Sequence, residues 1–263
     1  PCGITTASAP ITVLGTPNAG TLNGFTAVCM GTSPTYTNAV SGGLWSSTST
    51  GIATINATTG VLTTLTPGNT TIQYSVTNGC NTSVTQLLIT VNPQPNAGTI
   101  SGASTVCAGS QATFSSNGLG GGVWSSSNIA VATVNASTGV VTGVAAGTAN
   151  IIYTSTTPCG TLQASAGITV NPVLTAGSVS GASQLCIGST TTYTSSGSAG
   201  GTWSSLTPTV ATVNATTGVI TGVSAGNATI TYTIASGCGA PTAASKVIAV
   251  SAGNAGTLSG TST

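Results

Sequence analysis

Charge is almost missing from this sequence. Its 263 residues include no Asp, no Glu and no His, and its one Lys or Arg is Lys246. Soluble domains ordinarily carry about a quarter charged residues, so whole classes of function drop out. Without carboxylates or imidazoles there is no conventional general base, acid–base pair or charge-orienting triad. A Ser–Lys dyad would have to use Lys246, whose neighbour Ser245 faces the opposite way on a strand. Catalysis is not expected. Calcium sites built on Asp and Glu are excluded as well, and no basic patch exists to neutralise a phosphate backbone. Cofactors and nucleic-acid partners are therefore not expected. Long apolar runs are also lacking: none approaches the roughly 20 residues that span a bilayer, so no membrane insertion is expected.

What is present is β-forming and repetitive. Ser and Thr make up roughly a third of the residues, a strong departure from ordinary usage. Yet 39% of the chain is hydrophobic, and Val and Ile alternate with Thr, which argues for folded strands rather than disorder. The stretch from Trp124, WSSSNIAVATVNASTGVVTGVAAGTANIIYT, has close relatives starting at Trp45 and Trp203. Cys29, Cys107 and Cys186 form one periodic series, and Cys80, Cys159 and Cys238 a second. The markers NAGTLNG, NAGTISG, TAGSVSG and NAGTLSG begin at Asn18, Asn96, Thr175 and Asn254. Such self-similarity defines modules. The reading is three modules at 17–93, 94–172 and 173–251. Residues 1–16 read as the last strand of an upstream module, and 252–263 as the first strand of a downstream one.

Within the middle module the strand signals are short and evenly spaced, as in a sandwich. They fall at 98–101, 111–115, 122–126, 131–135, 140–143, 149–154 and 162–171. Gly139 supplies the positive φ for a hairpin. Asn56, Asn135 and Asn214 occupy the same turn in each repeat and read as turn formers rather than glycosylation sites. Trp45, Trp124 and Trp203 read as the core anchors of their modules, with sugar stacking as the weaker alternative.

The long Trp-led stretch resembles the group 2 bacterial immunoglobulin-like domain, which occurs in tandem in invasin- and intimin-type adhesins. The resemblance covers all three modules. It implies an all-β chain of tandem immunoglobulin-like β-sandwiches, head to tail. The added cysteines, in V-C-x-G-S and in G-C or P-C-G, make the repeats similar to the Thr-rich repeats of giant Bacteroidota surface adhesins and gliding-associated filaments exported by the type IX system. That similarity implies a bacterial cell-surface or extracellular location, with stalk or adhesin as the role.

Seven cysteines at periodic positions in such a fold point to disulfides and an oxidising compartment. No CxxC spacing and no His accompany them, so a metal site is not expected. Two pairings are open. Within modules, Cys29–Cys80, Cys107–Cys159 and Cys186–Cys238 would pair. However, Cys107 precedes the second strand and Cys159 follows the sixth, and in an immunoglobulin-like sandwich those strands run in the same direction. Their ends lie at opposite poles, farther apart than the roughly 7 Å a disulfide tolerates. Pairing between modules, Cys29 with Cys159 and Cys107 with Cys238, is favoured. Cys2, Cys80 and Cys186 would then find partners in modules outside this chain.

A neutral surface has nothing to screen and lacks the repulsion that keeps proteins apart. The expected partners are neighbouring modules and copies of the same chain in a fibre. The functional expectation is a non-catalytic stalk or filament shaft of a repetitive cell-surface adhesin. The alternatives are a glycan- or protein-binding adhesive module using the loops at 37–42, 116–121 and 195–200, and a strand-donation polymer.

Overall fold

The computed structural model of the chain describes residues 6–235 and 238–253, leaving Cys2 and the marker at Asn254 outside the described residues. Among the described residues every regular element is a β-strand, in keeping with the Thr, Val and Ile alternation. By its contacts the chain divides into two compact units. One comprises Pro1–Thr99, Ser116–Val123 and Tyr153–Ala164, and the other Ile100–Ser115, Trp124–Ile152 and Ser165–Thr263.

The first unit holds the strands of the first repeat. They are β1 (Leu22–Asn23), β2 (Ala27–Cys29), β3 (Thr37–Asn38), β4 (Leu44–Ser47), β5 (Ala53–Ile55), β6 (Leu62–Thr64), β7 (Gly68–Thr77) and β8 (Thr82–Asn92). A four-stranded sheet runs β2-β8-β7-β4. Its spine is the long β7–β8 hairpin, paired from Gly68↔Val91 to Thr77↔Thr82. The short β2 lies parallel to β8, with Cys29 opposite Asn92. The β5–β6 hairpin supplies the opposing layer.

Between the two layers sits a cluster that includes Tyr36, Trp45, Leu62, Ile72, Tyr74, Ile89 and Val91. Alternation produces it: on β7, Thr70, Ile72 and Tyr74 turn inward while their neighbours stay at the surface. Each fully buried Ile contributes about 1.5–3 kcal/mol. Trp45 is 7% exposed, and its ring centroid lies 4.7 Å from that of Tyr74.

The middle repeat contributes to both units. It carries β9 (Ile100–Ser101), β10 (Thr105–Cys107), β11 (Gln111–Thr113), β12 (Ser115–Ser116), β13 (Val123–Ser126), β14 (Ala132–Val134), β15 (Val140–Gly143), β16 (Gly147–Thr157) and β17 (Gly160–Asn171). Within the second unit β10 pairs in parallel with β17, Cys107 opposite Asn171, and β15 is flanked by β11 and β14. This corrects the strand reading at one point that matters. Residues 105–107 fall in no expected strand, yet they form β10. Three residues with one inward apolar side chain, Val106, offer no period to detect.

The second unit also contains the third repeat. Its strands are β18 (Val179–Ser180), β19 (Gln184–Cys186), β20 (Thr190–Thr192), β21 (Thr194–Ser195), β22 (Thr202–Ser205), β23 (Ala211–Val213), β24 (Val219–Gly222), β25 (Gly226–Ile234) and β26 (Thr242–Ser251). The order β19-β26-β25-β22 repeats that of the first sheet, and β20-β24-β23 forms the second layer. Its core centres on Trp203, whose ring packs 4.8 Å from Tyr232 and 6.5 Å from Tyr193.

Candidate functional site: disulfide joints between repeats

Strand length decides which cysteines can meet. Cys29 ends β2 opposite Asn92, the last residue of β8, whereas Cys80 lies in the turn that precedes β8. Eleven residues of β8 separate the two places, a span of about 30 Å or more at roughly 3.3 Å per residue. The third repeat has the same layout, with Cys186 opposite Ser251 at the end of β26 and Cys238 ahead of its start. A disulfide needs Cα atoms within about 7 Å. Pairing within these repeats is impossible.

The structure joins Cys29 to Cys159 with Cα atoms 5.7 Å apart, and Cys107 to Cys238 with Cα atoms 5.5 Å apart. Each bond links one repeat to the next, across 130 and 131 residues of chain. The first lies wholly in the first unit and the second wholly in the second.

The backbone holds each half of a joint in place. The amide following the strand cysteine donates to the end of the long strand in every repeat: Met30 N to Asn92 O at 2.9 Å, Ala108 N to Asn171 O at 3.0 Å and Ile187 N to Ser251 O at 3.0 Å. In the first repeat Thr64, 5% exposed, donates to the carbonyls of Cys29 and Thr32. On the hairpin side, Cys159 N donates to Thr157 Oγ1 at 3.1 Å, and Cys159 Sγ sits 3.8 Å from Asn92 O. Cys238 Sγ sits 3.6 Å from Asn171 O. Gln94 Nε2 from the linker donates to Met30 O at 2.9 Å.

A further anchor escaped the sequence reading. The Ala of the three described markers is buried: Ala19 2%, Ala97 1% and Ala176 2% exposed. Hairpin hydroxyls tie this segment to the repeat it enters: Ala19 N donates to Ser83 Oγ, Asn96 N to Ser155 Oγ and Ala176 N to Thr242 Oγ1. The markers were visible as repeat signals. Their docking role depends on partners some 60 residues away, which periodicity alone does not reveal.

The tyrosines were missed too. The hydroxyls of Tyr74, Tyr153 and Tyr232 each donate to a carbonyl of the variable loop (Val40, Leu119, Ser198) and accept from the glycine amide closing it (Gly43, Gly122, Gly201). Those loops are tethered. Desolvation raises the pKa of Tyr36 and of Tyr193 above the ordinary tyrosine value.

The other residues singled out by sequence fall as follows. Trp124 and Trp203 are each 6% exposed, so no indole presents a face to solvent. Cys80 and Cys186 are exposed free thiols. Lys246 pairs across to Ile230 while Ser245 pairs to Thr231, so the two point to opposite faces and form no dyad. Lys246 Nζ donates to Gly181 O at 2.6 Å and lies 5.9 Å from the Tyr193 ring centroid. Asn56, Asn135 and Asn214 each accept two backbone amides through Oδ1, closing the hairpin turn. No group of three potential metal ligands occurs among the described residues, and no helix there is long and apolar enough to cross a membrane.

Two-layered β-sandwiches of this topology, repeated in tandem, define an immunoglobulin-like protein. Residues 89–167 and 164–247, more than half of the chain, match the family model of the bacterial Ig-like domain (group 2), and the chain belongs to that family. No curated protein matches it in sequence. Among solved structures it is similar to an I-band fragment from titin, at 9% identity and a TM-score of 0.49, covering 86% of this chain and 95% of that one. It is also similar to human CDH23 EC21-23, at 13% identity and a TM-score of 0.44, covering 88% and 97%. A third is Drosophila N-cadherin EC1-4, at 10% identity and a TM-score of 0.37, covering 90% and 74%.

Proposed function

We propose that this chain is a segment of an extracellular, non-catalytic stalk or filament shaft, of the kind carried by large repetitive bacterial surface adhesins. The observation that carries the reading is the pair of disulfides, Cys29–Cys159 and Cys107–Cys238, each bonding one repeat to the next. A disulfide within a sandwich would stabilise that sandwich alone. One between sandwiches restricts how they move against each other, which is what a shaft requires. Disulfides persist in oxidising compartments, which favours a location outside the cytoplasm. The chain's lack of Asp, Glu and His leaves a mechanical role and few chemical ones. The cysteine-bearing, Thr-rich repeats favour a Bacteroidota adhesin or gliding filament exported by the type IX system. Neighbouring repeats, and further copies of the chain within a fibre, are the partners.

Small-angle scattering and negative-stain images of the oxidised and the reduced chain test this. Reduction should broaden the distribution of angles between repeats while leaving each sandwich folded. A reduced chain as narrowly distributed as the oxidised one would remove the mechanical reading.

A further inference from the structure

Residues 6–20 belong to no strand. Yet Ile11-Thr12-Val13 repeats Ile89-Thr90-Val91 of β8 and Ile168-Thr169-Val170 of β17. In those strands the apolar residues are core: Ile89 and Val91 are 0% and 1% exposed, Ile168 and Val170 1% and 2%. Ile11 and Val13 are each 90% exposed. Two large apolar side chains at alternate positions, both turned to water, mark a strand without its sheet.

The second observation is what stands beside this segment. By the same alignment Leu14 takes the place of Asn92, the residue opposite Cys29, to which Cys159 is bonded. The hairpin carrying Cys80 meets Leu14 and Gly15 directly. Asn78 Nδ2 donates to Gly15 O at 2.6 Å, and a Cβ on Gly79 would lie 3.4 Å from Leu14 Cδ1. Cys80 N donates to Asn78 Oδ1 at 3.0 Å, as Cys159 N donates to Thr157 Oγ1 at 3.1 Å. The hairpin half of a joint is thus formed around an exposed, free Cys80. What it lacks is the strand cysteine that Cys29 supplies to Cys159.

Resting on the staple reading above, we propose that residues 11–14 and the Cys80 hairpin together form an open joint. Its occupant is one further immunoglobulin-like repeat of this type, one that lacks only its last strand. That repeat takes residues 11–14 as its last strand, burying Ile11 and Val13. Its own short Val-Cys strand lies parallel to them with the cysteine opposite Leu14, and this cysteine bonds Cys80. Two thiols become one disulfide by exchange with a disulfide oxidant such as oxidised glutathione, whose S–S bond breaks to give two thiols. A second copy of the chain does not fit, because its three repeats already hold their own last strands, β8, β17 and β26.

The test adds a second copy of residues 94–157 ahead of Pro1, so that Thr157 runs into Pro1 as it otherwise runs into Pro158. The protein is oxidised with a glutathione mixture, alkylated and digested without reduction. The expected results are loss of alkylation at Cys80, a peptide linking Cys80 to the added Cys107, and slow amide exchange at residues 11–14. Cys107→Ser in the added copy should restore alkylation at Cys80 and keep the slow exchange. If Cys80 remains alkylated, or links to Cys186 of another molecule, the proposal fails. The Cys29–Cys159 peptide in the same digest reports separately on the staple reading.

Discussion

At the scale of single residues, the fold leans on a few positions whose substitution has a calculable cost. Gly218 has φ +70°, and a Cβ there would lie 2.6 Å from Tyr193 O and 3.0 Å from the Trp203 ring. Gly218→Ala combines left-handed backbone strain with that crowding, so it should destabilise the third repeat by about 1–3 kcal/mol, read as a lower urea midpoint. Tyr36 is a milder case. It is buried and its hydroxyl donates to Phe25 O at 2.6 Å, while Phe114 fills the equivalent place in the middle repeat with no hydroxyl at all. Tyr36→Phe should therefore keep the fold and cost about 1 kcal/mol. A loss of several times that would show that the hydroxyl holds more than one strand end.

At the scale of elements, the joint is where sequence and structure part company most instructively. The period was readable because Trp and Cys are rare, 3 and 7 residues, so every recurrence stands out. The poles were readable because strand direction follows from sandwich topology. The three-residue strands β2, β10 and β19 were not, although they are what carries Cys29, Cys107 and Cys186 to the far ends of β8, β17 and β26. Their pairing comes from tertiary hydrogen bonds, and no pattern of period two fits into three residues. This layout gives a clear prediction. Cys159→Ser removes one staple, so thiol titration under native conditions should gain one group, Cys29, and the melting temperature should fall. The loss should be about 2–4 kcal/mol, the usual range for a disulfide closing a long loop. An unchanged melting curve would mean that the linker contacts of Gln94 and Asn96 hold the joint without the bond.

At the scale of the whole molecule, the absence of charge becomes a property that can be measured. Acid unfolding is driven mainly by carboxylates and histidines whose proton affinity changes on folding, and this chain has none. Folding does perturb Tyr36 and Tyr193, both raised by burial above the ordinary value of 10.0. A group held protonated by folding lends stability that is complete below its unfolded pKa and is lost as pH climbs through its folded one. The urea midpoint should therefore stay level from mildly acidic pH to about 9 and decline only above about 10. Tyr36→Phe should shallow that alkaline decline. Salt should matter as little, since low salt and about 0.5 M sodium chloride differ only in screening, and Lys246 is the one charged side chain to screen. A midpoint that fell steeply toward acid would require a titrating network that this composition cannot build. A level one would show how a surface built from Ser, Thr and Asn keeps its sandwiches intact wherever the surrounding medium changes.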